Sequence, residues 1–215
     1  MKRIVAAAFV VGVIAIVIGP PSSEAADSIG WGIAAPIDVD PINAYDVSVA
    51  ASPAGVAFAA WLQVGASGSD VWAARFVPGS GWGTATVIET GTRGAGNLQV
   101  AADRLGNAVV VWEQFDGTRV NIYANRFDAA VGWGQAQLVE SDNTGPAYFP
   151  SVAADAVGNF VAVWQQSDGT RFNAWANWYL LGTGWVIPVL LETNSAGDAD
   201  PPRVASDRAG NAIAV

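Results

Sequence analysis

The chain has 215 residues, 52% of them hydrophobic and 13% charged, enough for a substantial core and too apolar and aromatic for disorder. Its net charge is −9, and the cations beyond Lys2 are arginines spread singly, which argues against nucleic acid or an anionic membrane as partner. Cysteine and histidine are absent, so disulfides, thiolate chemistry, a Ser-His-Asp triad and a histidine-based zinc site are all excluded.

Lys2 and Arg3 make a positive start, and Ile4 to Ile18 form an apolar run that Pro20 and Pro21 break. Ser23-Glu24-Ala25 then offers small residues for cleavage after Ala25. The run is shorter than the ~20 residues of a comfortable membrane span, so residues 1–25 read as a removable export signal rather than an anchor. The mature chain is expected to be secreted, periplasmic or at the cell surface, with no membrane attachment.

From residue 26 onward the chain copies itself every 51 or 52 residues. Trp31, Trp82, Trp133 and Trp185 open Gly-Trp segments, Trp61, Trp112 and Trp164 close apolar runs, and Asp103, Asp155 and Asp207 start turns into Gly-Asn. Trp31 to Asp38 reads as a lone outer strand. Three units follow, over residues ~47–89, ~98–140 and ~151–192. In the second, strands are predicted at Leu98–Ala102, Ala108–Gln114, Val120–Phe127 and Trp133–Glu140, with an Asp116-Gly117 hairpin between the middle two. The first unit reads as Val47–Ala51, Val56–Gln63, Val71–Phe76 and Trp82–Glu89, with Ser52-Pro53-Ala54-Gly55 in place of the Asp turn. The third reads as Ser151–Ala154, Phe160–Gln166, Phe172–Tyr179 and Trp185–Glu192. A partial unit occupies residues 203–215 and stops one residue before the expected tryptophan, which reads as a truncated array with an apolar edge.

Helical periodicity is absent after the leader. Four short strands in about 50 residues match one propeller blade, whereas a sandwich needs ~100 residues. The opening strands are small and short, as in Val100-Ala101-Ala102, which suits the crowded position nearest an axis. The expected fold is therefore an all-β, propeller-like array of four-stranded antiparallel blades.

Nine of the ten tryptophans recur or match Tyr123 in register, which reads as blade-to-blade packing. Trp178 is the exception, standing where other units have Arg75 and Arg126, and is the candidate exposed aromatic for a ligand. Asp103, Asp155 and Asp207 read as turn formers, their carboxylates accepting backbone amides. The Asp116/Arg119 and Asp168/Arg171 hairpin pairs are candidate contacts for a ligand. No cofactor is expected. Calcium is the one ion left open, through Asp198-Ala199-Asp200 or Asp142-Asn143 with backbone carbonyls. The carboxylates that break the repeat are Asp40, Asp46, Asp70, Glu113, Asp128, Asp142, Asp198 and Asp200; none sits in a motif that marks it as catalytic.

Ser151-Val152-Ala153-Ala154-Asp155-Ala156-Val157-Gly158-Asn159, followed by Trp164, resembles the Asp-box hairpin of sialidase-like β-propellers and, more broadly, kelch-like repeats of bacterial secreted propellers. It places two residues rather than one between Asp and Gly, and the sialidase arginine triad and Tyr/Glu pair have no counterparts. The resemblance implies architecture alone. On these readings the chain is a secreted binding or scaffold module for a glycan or an extracellular protein. The alternatives are a propeller-type glycan hydrolase or lyase working with a carboxylate pair, and a purely structural surface segment.

Overall fold

A computed structural model describes residues 14–15, 35–38, 43–65, 68–91, 94–141, 144–193 and 196–215. The leader apart from residues 14–15, Trp31, Asp40 and Asp142-Asn143 lie outside that set. Strand β1 (Ile14–Ala15) pairs antiparallel with β2 (Ala35–Pro36), the described part of the lone outer strand read over 31–38.

Three like sheets follow. The first blade is β3 (Ala44–Ala51), β4 (Ala57–Gly65), β5 (Gly68–Val77), β6 (Gly81–Trp82) and β7 (Thr86–Val87). The second is β8 (Ala95–Ala102), β9 (Ala108–Phe115), β10 (Val120–Asp128), β11 (Gly132–Trp133) and β12 (Gln137–Leu138). The third is β13 (Ala147–Ala154), β14 (Phe160–Ser167), β15 (Phe172–Leu180), β16 (Gly184–Trp185) and β17 (Val189–Leu190). A hairpin of β18 (Val204–Ser206) and β19 (Ala212–Ala214) comes last. Within each blade the strands pair antiparallel in chain order, and the last two short strands both pair with the third. No described residue is helical. The fold is a β-propeller-type array, and it is not closed.

Packing follows from the second strand of each blade, which is apolar on both faces. Phe58 and Leu62 of β4 and Val71 of β5 join Leu98, Val110 and Trp112 in one core between the first and second blades. Val109 and Val111, from the other face of β9, join Ile122, Val152, Phe160 and Trp164 between the second and third. The continuous apolar run of β9 is thus buried on both sides rather than alternating. Trp61, Trp112 and Trp164 are 0% exposed, as the packing reading requires. Each indole donates to the glutamine two residues on, at 3.2 Å to Gln63, 3.0 Å to Gln114 and 2.9 Å to Gln166. Gln114 in turn donates to Glu89 of the preceding blade at 2.8 Å.

The opening strands β3, β8, β13 and β18 contact one another in that order, which places them innermost, as their small residues imply. They are joined by side-chain bonds: Leu98 N donates to Asp46 Oδ2 (3.1 Å), Val100 N to Ser48 Oγ (3.1 Å) and Val204 N to Ser151 Oγ (3.3 Å).

Two predicted boundaries are corrected. The opening strands begin at Ala44, Ala95 and Ala147, three or more residues before the predicted starts, because each continues through a bulge. The predicted outer strand Trp133–Glu140 is split, because Gly134 N donates to Arg126 O (2.9 Å) while Asn125 Nδ2 inserts between Gly134 O (3.1 Å) and Ile88 O of the first blade (2.7 Å). Asn177 repeats this contact with Val186 O and Val139 O.

The Asp-to-Asn turns are as expected. Asp103 Oδ1 accepts Leu105 N (2.8 Å) and Asn107 N (2.9 Å), Oδ2 accepts Asn107 Nδ2 (2.7 Å), and Gly106 takes φ +83°. Asn107 Oδ1 then accepts Ala129 N, tying the turn to the β10–β11 connection. Asp155 and Asp207 repeat the arrangement, but Asp103 is buried and Asp207 exposed. Asp103→Ala is therefore expected to cost about 2–3 kcal/mol, because two amides in a buried turn lose their acceptor. Asp207→Ala should leave the urea midpoint almost unmoved, and equal losses from the two variants would refute the burial explanation.

Candidate functional site

The bulges gather at one end of the blades. Asp46, Asn97 and Phe149 occupy the same position in β3, β8 and β13, each with a left-handed backbone at φ +51°, +45° and +54°. This conformation is uncommon outside glycine, and bulges that use it re-aim side chains at sheet edges and sites. It does so here at the innermost strands, on the face carrying the Asp116 and Asp168 hairpins. Three different residue types stand at this one repeat position, a local departure from the symmetry of the blades.

Glu113 completes the group. It lies opposite Gly96 in the β8–β9 ladder, where the first blade has Leu62 and the third Gln165. Its Oε1 accepts Asn97 Nδ2 at 2.8 Å and the amide of Phe149, from the next blade, at 2.6 Å. A Cβ at Gly96 would lie 3.8 Å from its Oε2. Glu113 is 8% exposed, and its burial, reinforced by Coulomb repulsion from Asp46, pushes its pKa up despite the two donors that favour the ionised form. Asp46 and Glu113 therefore bind consecutive residues of β8, one at Leu98 N and the other at Asn97 Nδ2. Two non-repeating carboxylates thus hold adjacent residues of β8 among the innermost strands. Tyr45 and Phe149, 46% and 40% exposed, flank them, and Tyr45 is held by a hydrogen bond to Ser69.

The sequence-derived candidates lie elsewhere. Asp116 Oδ1 accepts Thr118 N, Thr118 Oγ1 and Arg119 N, while Oδ2 accepts Asn121 Nδ2 at 2.7 Å. Asp168 does the same with Thr170, Arg171 and Asn173. These donors pull both carboxyls well below the usual carboxylate range and commit them to their hairpins. Arg119 donates to Asn121 Oδ1, and Arg171 to Glu192 Oε1 (3.1 Å) and Gly197 O (2.9 Å). Trp178 is half-buried rather than exposed, packed with Ala153, Val161, Val163, Ala176 and Val204, because β18 approaches its face. Asp198 accepts Phe172 N at 2.8 Å. Among the described residues no group of three or more acidic side chains stands positioned for a metal ion.

Asp70 breaks the repeat differently, standing where the other blades have Asn121 and Asn173. It sits against Glu89, whose pKa is raised by burial first and then by Asp70. A carboxyl raised in the fold favours folding at low pH, and that contribution is lost as pH rises from the ordinary value through the raised one. Asp70→Asn removes the repulsion and restores the repeat residue. It is expected to stabilise the fold by up to about 1 kcal/mol at neutral pH and by less at pH 4. A thermal melt showing no gain at neutral pH would contradict this.

No protein-family profile matches the chain, and neither does any curated protein. Solved structures do. A protein of unknown function from Dyadobacter fermentans aligns with a TM-score of 0.56 at 13% identity, over 81% of this chain and 57% of its own. A PL25 ulvan lyase bound to a glucuronate–sulfated rhamnose fragment gives 0.52 at 12%, over 75% and 46%. The α-L-arabinanase of Penicillium chrysogenum, complexed with arabinobiose, gives 0.55 at 13%, over 94% and 70%. The chain thus spans about half the length of the first two. Likeness at this identity establishes a shared fold, and two of the three neighbours are glycan-active enzymes.

Proposed function

We propose that the bulged ends of the innermost strands engage a glycan chain, with Glu113 and Asp46 doing acid/base work on it. The observation that carries this reading is that two non-repeating carboxylates hold adjacent residues at the bulged strand ends, the pKa of Glu113 being raised by burial and then by Asp46. In hydrolysis, Glu113 delivers its proton to the glycosidic oxygen as the C–O bond breaks. Water adds to the anomeric carbon and gives its proton to Asp46. Asn97 and the Phe149 amide hold the Glu113 carboxyl in place, and Tyr45 and Phe149 offer faces to sugar rings. Such a role fits an exported protein, as residues 1–25 imply, and needs no metal. A secreted binding or scaffold role is the second reading, favoured by the same exposed aromatics without the chemistry.

Incubation with a panel of polysaccharides, followed by chromatography of the products, tests the proposal. New reducing ends or unsaturated ends support the enzyme. Retention of a polysaccharide without cleavage supports the binding role. The absence of both cleavage and retention overturns the glycan reading.

A further inference from the structure

The opposite end of the blades holds a cleft of about 270 Å³ between the second and third blades. Its polar wall is Arg126 and Asp128 of β10 with Gln135 and Gln137 of the outer strand, and its far wall is Tyr179 and Trp185 of the third blade. Arg126 Nη1 bonds Asp128 Oδ2 at 2.7 Å, and its guanidinium lies 5.4 Å from the centroid of the Tyr179 ring. Tyr179 and Trp185 meet edge to face at 5.7 Å.

The carboxylate and the two primary amides belong to one blade alone. Where the second blade has Asp128, Gln135 and Gln137, the first has Val77, Thr84 and Thr86, and the third has Leu180, Ile187 and Val189. Packing between blades does not ask for these groups, since the neighbouring units dispense with them. Arg75 stacks over Phe127 in the preceding cleft at 5.2 Å with no acidic partner two residues on. In the second blade, Asp128 offsets the arginine charge, so the cleft is locally neutral. Two primary amides, a carboxylate and a guanidinium then stand opposite aromatic rings.

We infer that this cleft binds a neutral sugar unit, distinct from the site at the bulged strand ends. The two amides, the carboxylate and the guanidinium offer donors and acceptors to sugar hydroxyls, and the Trp185 wall suits the C–H face of a pyranose or furanose. The volume is enough for a sugar ring. The neutral charge disfavours uronates and sulfated sugars.

The test is a ¹H–¹⁵N NMR titration of the full chain with cellobiose, maltose and arabinobiose, following the Trp185 indole and the Gln137 side-chain amide. At least one sugar is expected to shift both signals saturably, at millimolar concentration. Gln135→Thr/Gln137→Thr, which copies the first blade and is expected to fold, should weaken that binding at least tenfold. Glu113→Gln should leave it unchanged, so that failure of the axial site and failure of the cleft are read separately. No shift at 100 mM of any of the three sugars, or equal binding by the double variant with an unaltered melting temperature, overturns the inference.

Discussion

Glu113→Gln is expected to lower glycan turnover by about 10²–10⁴-fold while leaving the melting temperature within a few degrees of the parent. The amide keeps an oxygen for Asn97 Nδ2 and the Phe149 amide, so the strand-to-strand geometry survives. What it lacks is the transferable proton. The same role sets the pH profile. A general acid must be protonated, so activity holds below the raised Glu113 pKa and falls as pH climbs through it. Asp46→Asn removes the proposed base, which lowers turnover, and also the repulsion that contributes to the shift, so the alkaline limb of the residual activity should move to lower pH. An unmoved limb in Asp46→Asn, or full activity in Glu113→Gln, assigns the chemistry elsewhere.

Trp112→Ala is expected to cost about 3–5 kcal/mol, a large share of the ~5–15 kcal/mol that holds a domain together. The indole is 0% exposed, stacks with Tyr123 at 6.3 Å and points back into the core shared with the first blade. Its removal opens a cavity at the blade boundary and leaves Gln114, the link to Glu89, without its indole donor. The urea midpoint should fall accordingly. Trp178→Ala, in a half-buried position of the third blade, should cost clearly less. If the two were equal, packing between successive blades would not be the main source of stability.

Much of this fold is written plainly in the chain, because packing between like units imposes the same residue at each period. Trp61, Trp112 and Trp164 recur because each fills the same boundary, and Asp103, Asp155 and Asp207 recur because each closes the same turn. The axial site is harder to read for the opposite reason. Asp46, Asn97 and Phe149 share a position but no chemistry, and while Asp and Asn tolerate a left-handed backbone, Phe149 gives no sign of one. Strands predicted to open at Val47, Leu98 and Ser151 leave those three residues in the preceding loop. Asp46 and Glu113 do stand out as carboxylates that break the repeat, but 67 positions separate them. Only the adjacency of β8 to β3 and β9 brings them together. The hairpin aspartates are legible for a different reason. Asp116 and Asp168 carry a conspicuous neighbouring arginine, and their hydrogen-bond donors lie within five residues along the chain.

The pairing of Asp46 with Glu113 at the bulged strand ends is tested most directly by following the Glu113 carboxyl carbon through a pH titration in ¹³C-labelled protein. Its midpoint should lie above the ordinary glutamate value, about 4.3, and should drop in Asp46→Asn. A midpoint at or below that value, unchanged by Asp46→Asn, would mean that the two carboxylates do not share a site.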